Sequence, residues 1–209
     1  MQVYQTGVLE FNKGSVNNHY KHLDHYGRMA KKHGYRSRAA WKLIQIDERY
    51  NVTHGVTSAV DLGCAPGGWL QVLRKRLPRG SRLVGLDIAK VNPVAGAEII
   101  LGDAEDASVM DQIAIRKPQL VVSDMAPGTT GYTELDHRNS IGLCYVAFEF
   151  ALKALQHGGN FVCKVFMGAD DQQLYDDIRP LFTTLKRFKP DASRDQSRET
   201  YFVAMGKLG

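Results

Sequence analysis

No run of eighteen consecutive apolar residues occurs in the chain, so a membrane-spanning helix is not expected. Met1–Tyr20 has one lysine, no arginine and the acid Glu10. It lacks the basic start and apolar core of a secretory signal. The expectation is a cytoplasmic protein. Cysteine is scarce: Cys64, Cys144 and Cys163 are an odd, widely spaced set with no CxxC. That excludes a disulfide framework and leaves small buried residues in a reducing compartment. His19, His22 and His25 recur at three-residue steps, but no cysteine or further cluster accompanies them, so no metal is expected. Repeats, low-complexity tracts and linkers are also missing. The 209 residues, 44% hydrophobic, suit one globular domain with a sizeable core.

What the chain does have is an uneven charge. It carries 27 basic and 22 acidic residues, a net of +5. Seven of the basic ones (Lys21, Arg28, Lys31, Lys32, Arg36, Arg38, Lys42) fall between Lys21 and Lys42, against the single acid Asp24. A stripe of this kind is the footprint of a phosphate-backbone partner, or else a solvated helix face. Lys31, Lys32, Arg36 and Arg38 are the candidate RNA contacts. Tyr20, Tyr26, Tyr35 and Trp41 are interleaved there, and one of them is available to stack on a base. For Tyr35 and Trp41 packing onto the sheet is the stronger expectation.

From Thr57 onward, strand-like and helix-like runs alternate. Strands are expected at Ser58–Leu62, Arg82–Asp87, Glu98–Leu101, Leu120–Ser123, Asn160–Phe166, Thr184–Phe188 and Tyr201–Met205. Helices are expected at Trp69–Leu77, Ala107–Arg116, Arg138–Gln156 and Asp171–Phe182, the third stopped by Gly158-Gly159. The pattern predicts an α/β fold, a mostly parallel sheet covered by helices on both faces. The last two strands have no helix-length insert between them, so an antiparallel pair is expected at or near one edge. Residues 1–55 form a basic extension of the same domain, with helices over Lys21–Lys32 and Ser37–Tyr50 joined at Gly34. Residues 56–209 form the main body.

Ala59-Val-Asp-Leu-Gly-Cys-Ala-Pro-Gly-Gly-Trp69 is an apolar strand running into a glycine turn and a helix N-terminus. Gly63, Gly67, Gly68 and Trp69 are the candidate cofactor contacts of that turn, because glycine allows close backbone approach. The spacing is not GxGxxG, and Pro66 removes one N–H from any pyrophosphate cradle. Both disfavour a nicotinamide oxidoreductase. Asp87, twenty residues after Gly67, ends the next strand where an acid can hold a ribose diol. Asp103 follows the third strand and is placed to receive an adenine amino group. Each acid alone reads as a turn or cap; the three strand ends together suit a nucleoside without phosphate.

The fourth strand ends in Val121-Val-Ser-Asp-Met-Ala-Pro127 and the fifth reads Asn160-Phe-Val-Cys-Lys-Val-Phe166. Asp124 and Lys164 therefore meet near the ligand mouth. A lysine among Val162, Cys163, Val165 and Phe166 is costly to bury unpaired, unless it sits on an edge strand and reaches water.

With Gly34-Tyr-Arg-Ser-Arg-Ala-Ala-Trp-Lys-Leu43, Asp61-Leu-Gly-Cys-Ala-Pro-Gly-Gly-Trp69, Ser123-Asp-Met-Ala-Pro127, Lys164-Val-Phe166 and Pro190-Asp-Ala-Ser-Arg194 followed by Ser197-Arg-Glu-Thr-Tyr201, the chain resembles the FtsJ-like family of ribosomal RNA large-subunit 2′-O-methyltransferases. The five motifs run in family order from about Tyr26 to Gly206. The resemblance implies a Rossmann-like S-adenosylmethionine-dependent methyltransferase, with a seven-stranded sheet carrying one antiparallel strand. It implies a catalytic tetrad of Lys42, Asp124, Lys164 and Glu199. It also implies cofactor contacts at Gly67, Trp69, Asp87, Asp103 and Asp124. Gly128 stands where the family commonly has Asn, and Met167 where Gln is common.

The implied substrate is the ribose 2′-hydroxyl of a nucleotide, expected to be uridine, in large-subunit ribosomal RNA or the large subunit itself, and the implied enzyme is a monomer. Transfer RNA and an mRNA cap are alternative substrates, since the tetrad does not separate them. A non-catalytic RNA-binding assembly factor would have no need of the tetrad. A ribose hydroxyl is a poor nucleophile, so the site must align oxygen, methyl carbon and sulfur and manage a proton. Lys164 either accepts that proton as a neutral amine or only orients the hydroxyl as a donor.

Overall fold

The computed structural model describes residues 25–128, 132–194 and 196–209, apart from the side chain of residue 133. His19, His22, Tyr20 and Lys21 lie outside that set. Seven strands, β1 (Ser58–Leu62), β2 (Arg82–Asp87), β3 (Glu98–Leu101), β4 (Leu120–Ser123), β5 (Asn160–Phe166), β6 (Phe182–Phe188) and β7 (Glu199–Lys207), form one sheet in the order β3-β2-β1-β4-β5-β7-β6. β1 to β5 pair in parallel, while β7 lies between β5 and β6 and is antiparallel to both. The five parallel strands keep the bounds expected of them, because each is a short apolar run punctuated by Gly, Asp or Ser.

Helical residues 25–32 (α1) end at Gly34, whose φ of 71° is left-handed. Gly34 N donates to Lys31 O and Tyr35 N to Ala30 O, at 3.2 and 2.8 Å, the paired bonds of a glycine-stopped helix end. α2 (Ala40–Tyr50) starts three residues later than expected. Residues 37–39 instead make tight turns through Ala40 N–Ser37 O and Trp41 N–Arg38 O bonds. Then follow α3 (Gly68–Arg76), α4 (Ala107–Ala114), α5 (Thr133–Ala154) and α6 (Asp171–Ile178). α5 begins five residues before the expected Arg138, with Glu134 and Asp136 in its first turn, where negative charge is favoured. α6 stops at Ile178 rather than Phe182, since Pro180 cannot continue the backbone ladder; Arg179–Leu181 is a 3₁₀ turn and Phe182 already belongs to β6.

Alternation along the strands sends side chains to two cores. Val60, Leu62, Val121 and Phe161 pack with Met110 and Ile113 of α4, Phe148 and Ala151 of α5, and Leu174 and Ile178 of α6. Ala59, Val122, Val162 and Val203 pack on the other face with Leu43, Ile44 and Ile46 of α2 and Trp69, Leu70 and Leu73 of α3. The helix that carries Lys42 is therefore part of the core. The strand order reverses between β1 and β4, which makes the carboxyl ends of β1, β2, β3 and β4 the natural crevice for a ligand.

Candidate active site

A pocket of about 280 Å³ opens at that crevice. Its lining includes Gly63 after β1, Asp87 and Ile88 at the end of β2, Gly102 and Asp103 after β3, and Asp124 and Met125 after β4. Both oxygens of Asp87 accept backbone N–H bonds, from Ala65 at 2.7 Å and from Ala89 at 2.8 Å, which fixes the carboxylate at the rim. Asp103 is held by Glu105 N at 2.9 Å. Ile88 is 74% exposed, an apolar side chain offered to the pocket. Gly63 has φ 74°, and a Cβ there would lie 2.4 Å from Met125 Cγ and 3.1 Å from its Cα. The exits of β1 and β4 thus touch backbone to side chain, and only glycine allows it.

The glycine turn has a further task that was not expected. A Cβ at Gly67 would meet Arg36 Nη1 at 2.7 Å, and one at Gly68 would meet Ser37 Oγ at 2.5 Å. The room these glycines leave is filled by residues 36 and 37. Trp69 is buried, and its Nε1 donates to Ala39 O at 2.8 Å, locking α3 to the start of α2. All three stand outside the pocket lining, and the Gly67 N–H is already engaged, donating to Cys64 O at 2.6 Å.

Beside the pocket, β5 and β7 pair so that Lys164 faces Tyr201 and Phe166 faces Glu199. With side chains alternating, these four share one sheet face at the end of the strands. β5 is interior, so Lys164 does not reach water along an edge; it is 7% exposed. Its Nζ donates to the Asp124 carbonyl at 2.6 Å and lies 3.2 Å from Asp124 Oδ1. Lys42, reaching from α2, is equally buried and holds both oxygens of Glu199 at 2.7 and 2.8 Å. Ser193 Oγ donates to Glu199 Oε1 at 2.9 Å.

Tyr201 joins the two ion pairs. Its hydroxyl donates to Asp124 Oδ1 at 2.8 Å and stands 3.3 Å from Glu199 Oε1. Burial, and then the two carboxylates, push its phenol well above the ordinary range, so it stays a donor. Sequence reading missed Tyr201 as a site residue; the available signal was its place two residues after Glu199 in one strand. Asp61 was missed too. It is fully buried in β1, neither of its oxygens has a partner among the described residues, and burial followed by Asp124 and Asp87 holds it well above the usual carboxylate range.

The basic segment divides. Lys31 and Lys32 are exposed on α1. Arg36 is exposed but engaged, donating to Pro66 O, Asn92 O and Pro93 O at 3.1, 2.6 and 2.6 Å. Its guanidinium braces two loops, and a phosphate would have to compete with three carbonyls. Arg38 donates to Ala192 O at 2.8 Å, and its electrostatic neighbours are Arg194, Glu199 and Tyr201. Tyr35 and Trp41 pack against each other edge to face, at 6.0 Å. All three cysteines are buried and unpaired.

The family model of the FtsJ-like methyltransferases matches residues 35–207. The chain belongs to that family. The match spans Lys42, Asp124, Lys164 and Glu199, the glycine turn and the antiparallel pair, and makes this protein a methyltransferase. It is 45% identical to a ribosomal RNA large subunit methyltransferase E of Gluconobacter oxydans over 88% of this chain and 69% of that one. A protein of the same description from Natronomonas pharaonis is 42% identical over 88% of this chain and 74% of its own length. Among solved structures, a putative ribosomal RNA methyltransferase of Plasmodium falciparum superposes with a TM-score of 0.75 at 28% identity, covering 84% of this methyltransferase and 100% of that chain.

Proposed function

We propose that this methyltransferase transfers a methyl group from S-adenosylmethionine to a ribose 2′-hydroxyl of large-subunit ribosomal RNA. The observation that carries the reading is a buried chain of two lysine–carboxylate pairs, bridged by Tyr201 at the lip of a nucleoside-sized pocket. The pocket fits this cofactor. Three acids, Asp87, Asp103 and Asp124, line it, and no lysine or arginine does. Such a lining repels a pyrophosphate and tolerates a cation. The cofactor supplies an electrophilic methyl on a positive sulfur.

The protein's part is to hold and deprotonate the hydroxyl. Two of the three positions on Lys164 Nζ are taken by the carbonyl and carboxylate of Asp124. The third is left for the substrate oxygen: the ammonium donates there and orients the hydroxyl, and the amine offers a lone pair to the hydroxyl proton only once it has itself given up a proton. Asp124 anchors that amine and lines the cofactor pocket, tying the two reactants to one residue. Lys42 and Glu199 fix the other side of the mouth, and Tyr201 keeps the two carboxylates in register. Asp87 suits the ribose diol and Asp103 the adenine, while Gly63 keeps the pocket floor open and Gly67, Gly68 and Trp69 set the course of the turn that follows it. Lys31 and Lys32 meet RNA phosphates, with Arg38 nearer the mouth. The relatives described as acting on ribosomal RNA support the choice of substrate. The basic extension and residues 56–209 act as one domain, and a monomeric cytoplasmic enzyme accords with this substrate. Among the described residues no helix is long and apolar enough to cross a membrane.

The test is to supply labelled S-adenosylmethionine with large subunits lacking the modification, digest the RNA and identify the labelled nucleoside. A 2′-O-methyl nucleoside that disappears with Lys164→Ala supports the reading, and turnover in that variant should fall by roughly 10²–10⁴-fold. A methylated base, or label that enters only transfer RNA, refutes the chemistry or the substrate respectively.

A further inference from the structure

A second pocket, of about 250 Å³, lies near the carboxyl end of β5. It is lined by Asp136, His137, Phe166, Gln196, Ser197 and Arg198, and shares no lining residue with the first. Its wall is contiguous with the tetrad: Arg198 precedes Glu199, and Phe166 faces Glu199 in the β5–β7 register. The Phe166 ring, part of the pocket lining, has its centre 6.0 Å from Lys164 Nζ, so the pocket wall adjoins the amine.

The walls are rigid. His137 is buried, and its Nδ1 is 2.9 Å from Phe166 O while Asp170 N donates to its Nε2 at 3.1 Å. The ring lies so close to Gly168 that a Cβ there would come within 2.6 Å of it. Met167 N donates to Arg198 O at 2.9 Å, tying the exit of β5 to the strand before Glu199. Against this frame, Gln196 and Arg198 are exposed and Asp136 and Phe166 half-buried. Leu135 and Met167, 46% and 40% exposed, extend the lip with apolar surface.

An aromatic face beside an amide, a guanidinium and a carboxylate is the chemistry that receives an unstacked base and reads its edge. The base of a nucleotide is attached to the ribose carbon next to the one bearing the 2′-hydroxyl. With that hydroxyl at Lys164 Nζ, the base must lie within about a ring's width of it, in space the cofactor pocket does not occupy. We infer that this second pocket receives the target nucleotide's own base, drawn out of its stack. The inference rests on the RNA 2′-O-methyl transfer proposed above. In this arrangement Phe166 supports the base face while Gln196, Arg198 and Asp136 select its edge.

An abasic target nucleotide still carries the 2′-hydroxyl, so the reaction itself reads the pocket. Ribosomal RNA fragments carrying the methylated position are compared with fragments abasic at the target or at either neighbour. The wild type should lose about 10-fold or more in kcat/KM when the target is abasic, as expected for one stacked base. The doubly substituted Gln196→Ala, Arg198→Ala enzyme should show part of that loss on the intact fragment and, keeping the Phe166 face, a smaller further loss on the abasic one than the wild type shows, with cofactor affinity unchanged. Equal losses in both enzymes, or a coupled loss when a neighbour rather than the target is abasic, overturn the assignment. If the wild type methylates no ribose on the intact fragment, the proposed function fails first and this inference falls with it.

Discussion

Tyr201 has one proton to give and two carboxylates within reach of it. In Tyr201→Phe, Asp124 and Glu199 each lose a buried donor, and nothing then holds the two ion pairs in register. The loss of one such bond in a dry site is worth about 1–3 kcal/mol. Turnover should fall about 10-fold or more with cofactor affinity little changed; steady-state kinetics beside a cofactor titration separates the two. Asp61 gives a different signature. Its ordinary value is 3.8, and burial raises the folded-state value well above that. Between those limits the folded chain keeps a proton that the unfolded chain has released, so stability is lost as pH rises through that window. Asp61→Asn removes the effect. Without cofactor, the variant should melt above the wild type at pH 8, and the two should converge near pH 4. A higher-melting wild type at pH 8 would refute the sign. Both residues escaped sequence reading for one reason. A tyrosine in a β-rich run and an acid inside an apolar strand have ordinary explanations, and their functional meaning lies in partners far along the chain.

Elements meet at the site through contacts that leave no room for a side chain. The exits of β1 and β4 touch at Gly63 and Met125. Gly63→Ala must accommodate a left-handed φ and displace Met125, which adjoins Asp124 in the chain. The backbone strain alone costs roughly 1–3 kcal/mol, so the variant should melt lower and bind cofactor more weakly; a variant with unchanged affinity would mean that the loop yields freely. At this scale most of the architecture was legible. The parallel strands were bounded by their own punctuation, and the antiparallel pair followed from the missing helix. Helix starts were less readable, because residues 37–39 tighten into turns and α5 begins early on its acidic first turn. The glycine turn was read as a ligand cradle alone. That Arg36 and Ser37 fill its outer side depends on a contact across some thirty residues, which no local pattern carries.

Across the whole molecule, the basic stripe is only partly available to a polyanion. Lys31 and Lys32 face solvent, while Arg36 is occupied by carbonyls. RNA affinity should fall with salt, and Lys31→Ala with Lys32→Ala should reduce the slope of log K against log salt by about 1.5, since each phosphate contact contributes about 0.7–0.9. Arg36→Ala should instead lower thermal stability and leave that slope nearly intact. A slope unchanged by the two lysine substitutions would place the RNA track elsewhere.

β7 is last in sequence among the strands, yet it occupies an interior place between β5 and β6. It also brings Glu199 and Tyr201 to Lys42 and Lys164. During synthesis, a chain that has emerged only as far as β6 has an open slot in its sheet, with β5 and β6 unable to pair. It also lacks Glu199, the carboxylate that pairs with Lys42, and Tyr201, the link to the Lys164 pair. The strand that closes the sheet is thus also the one that completes the group of buried charges, so neither is whole without the other.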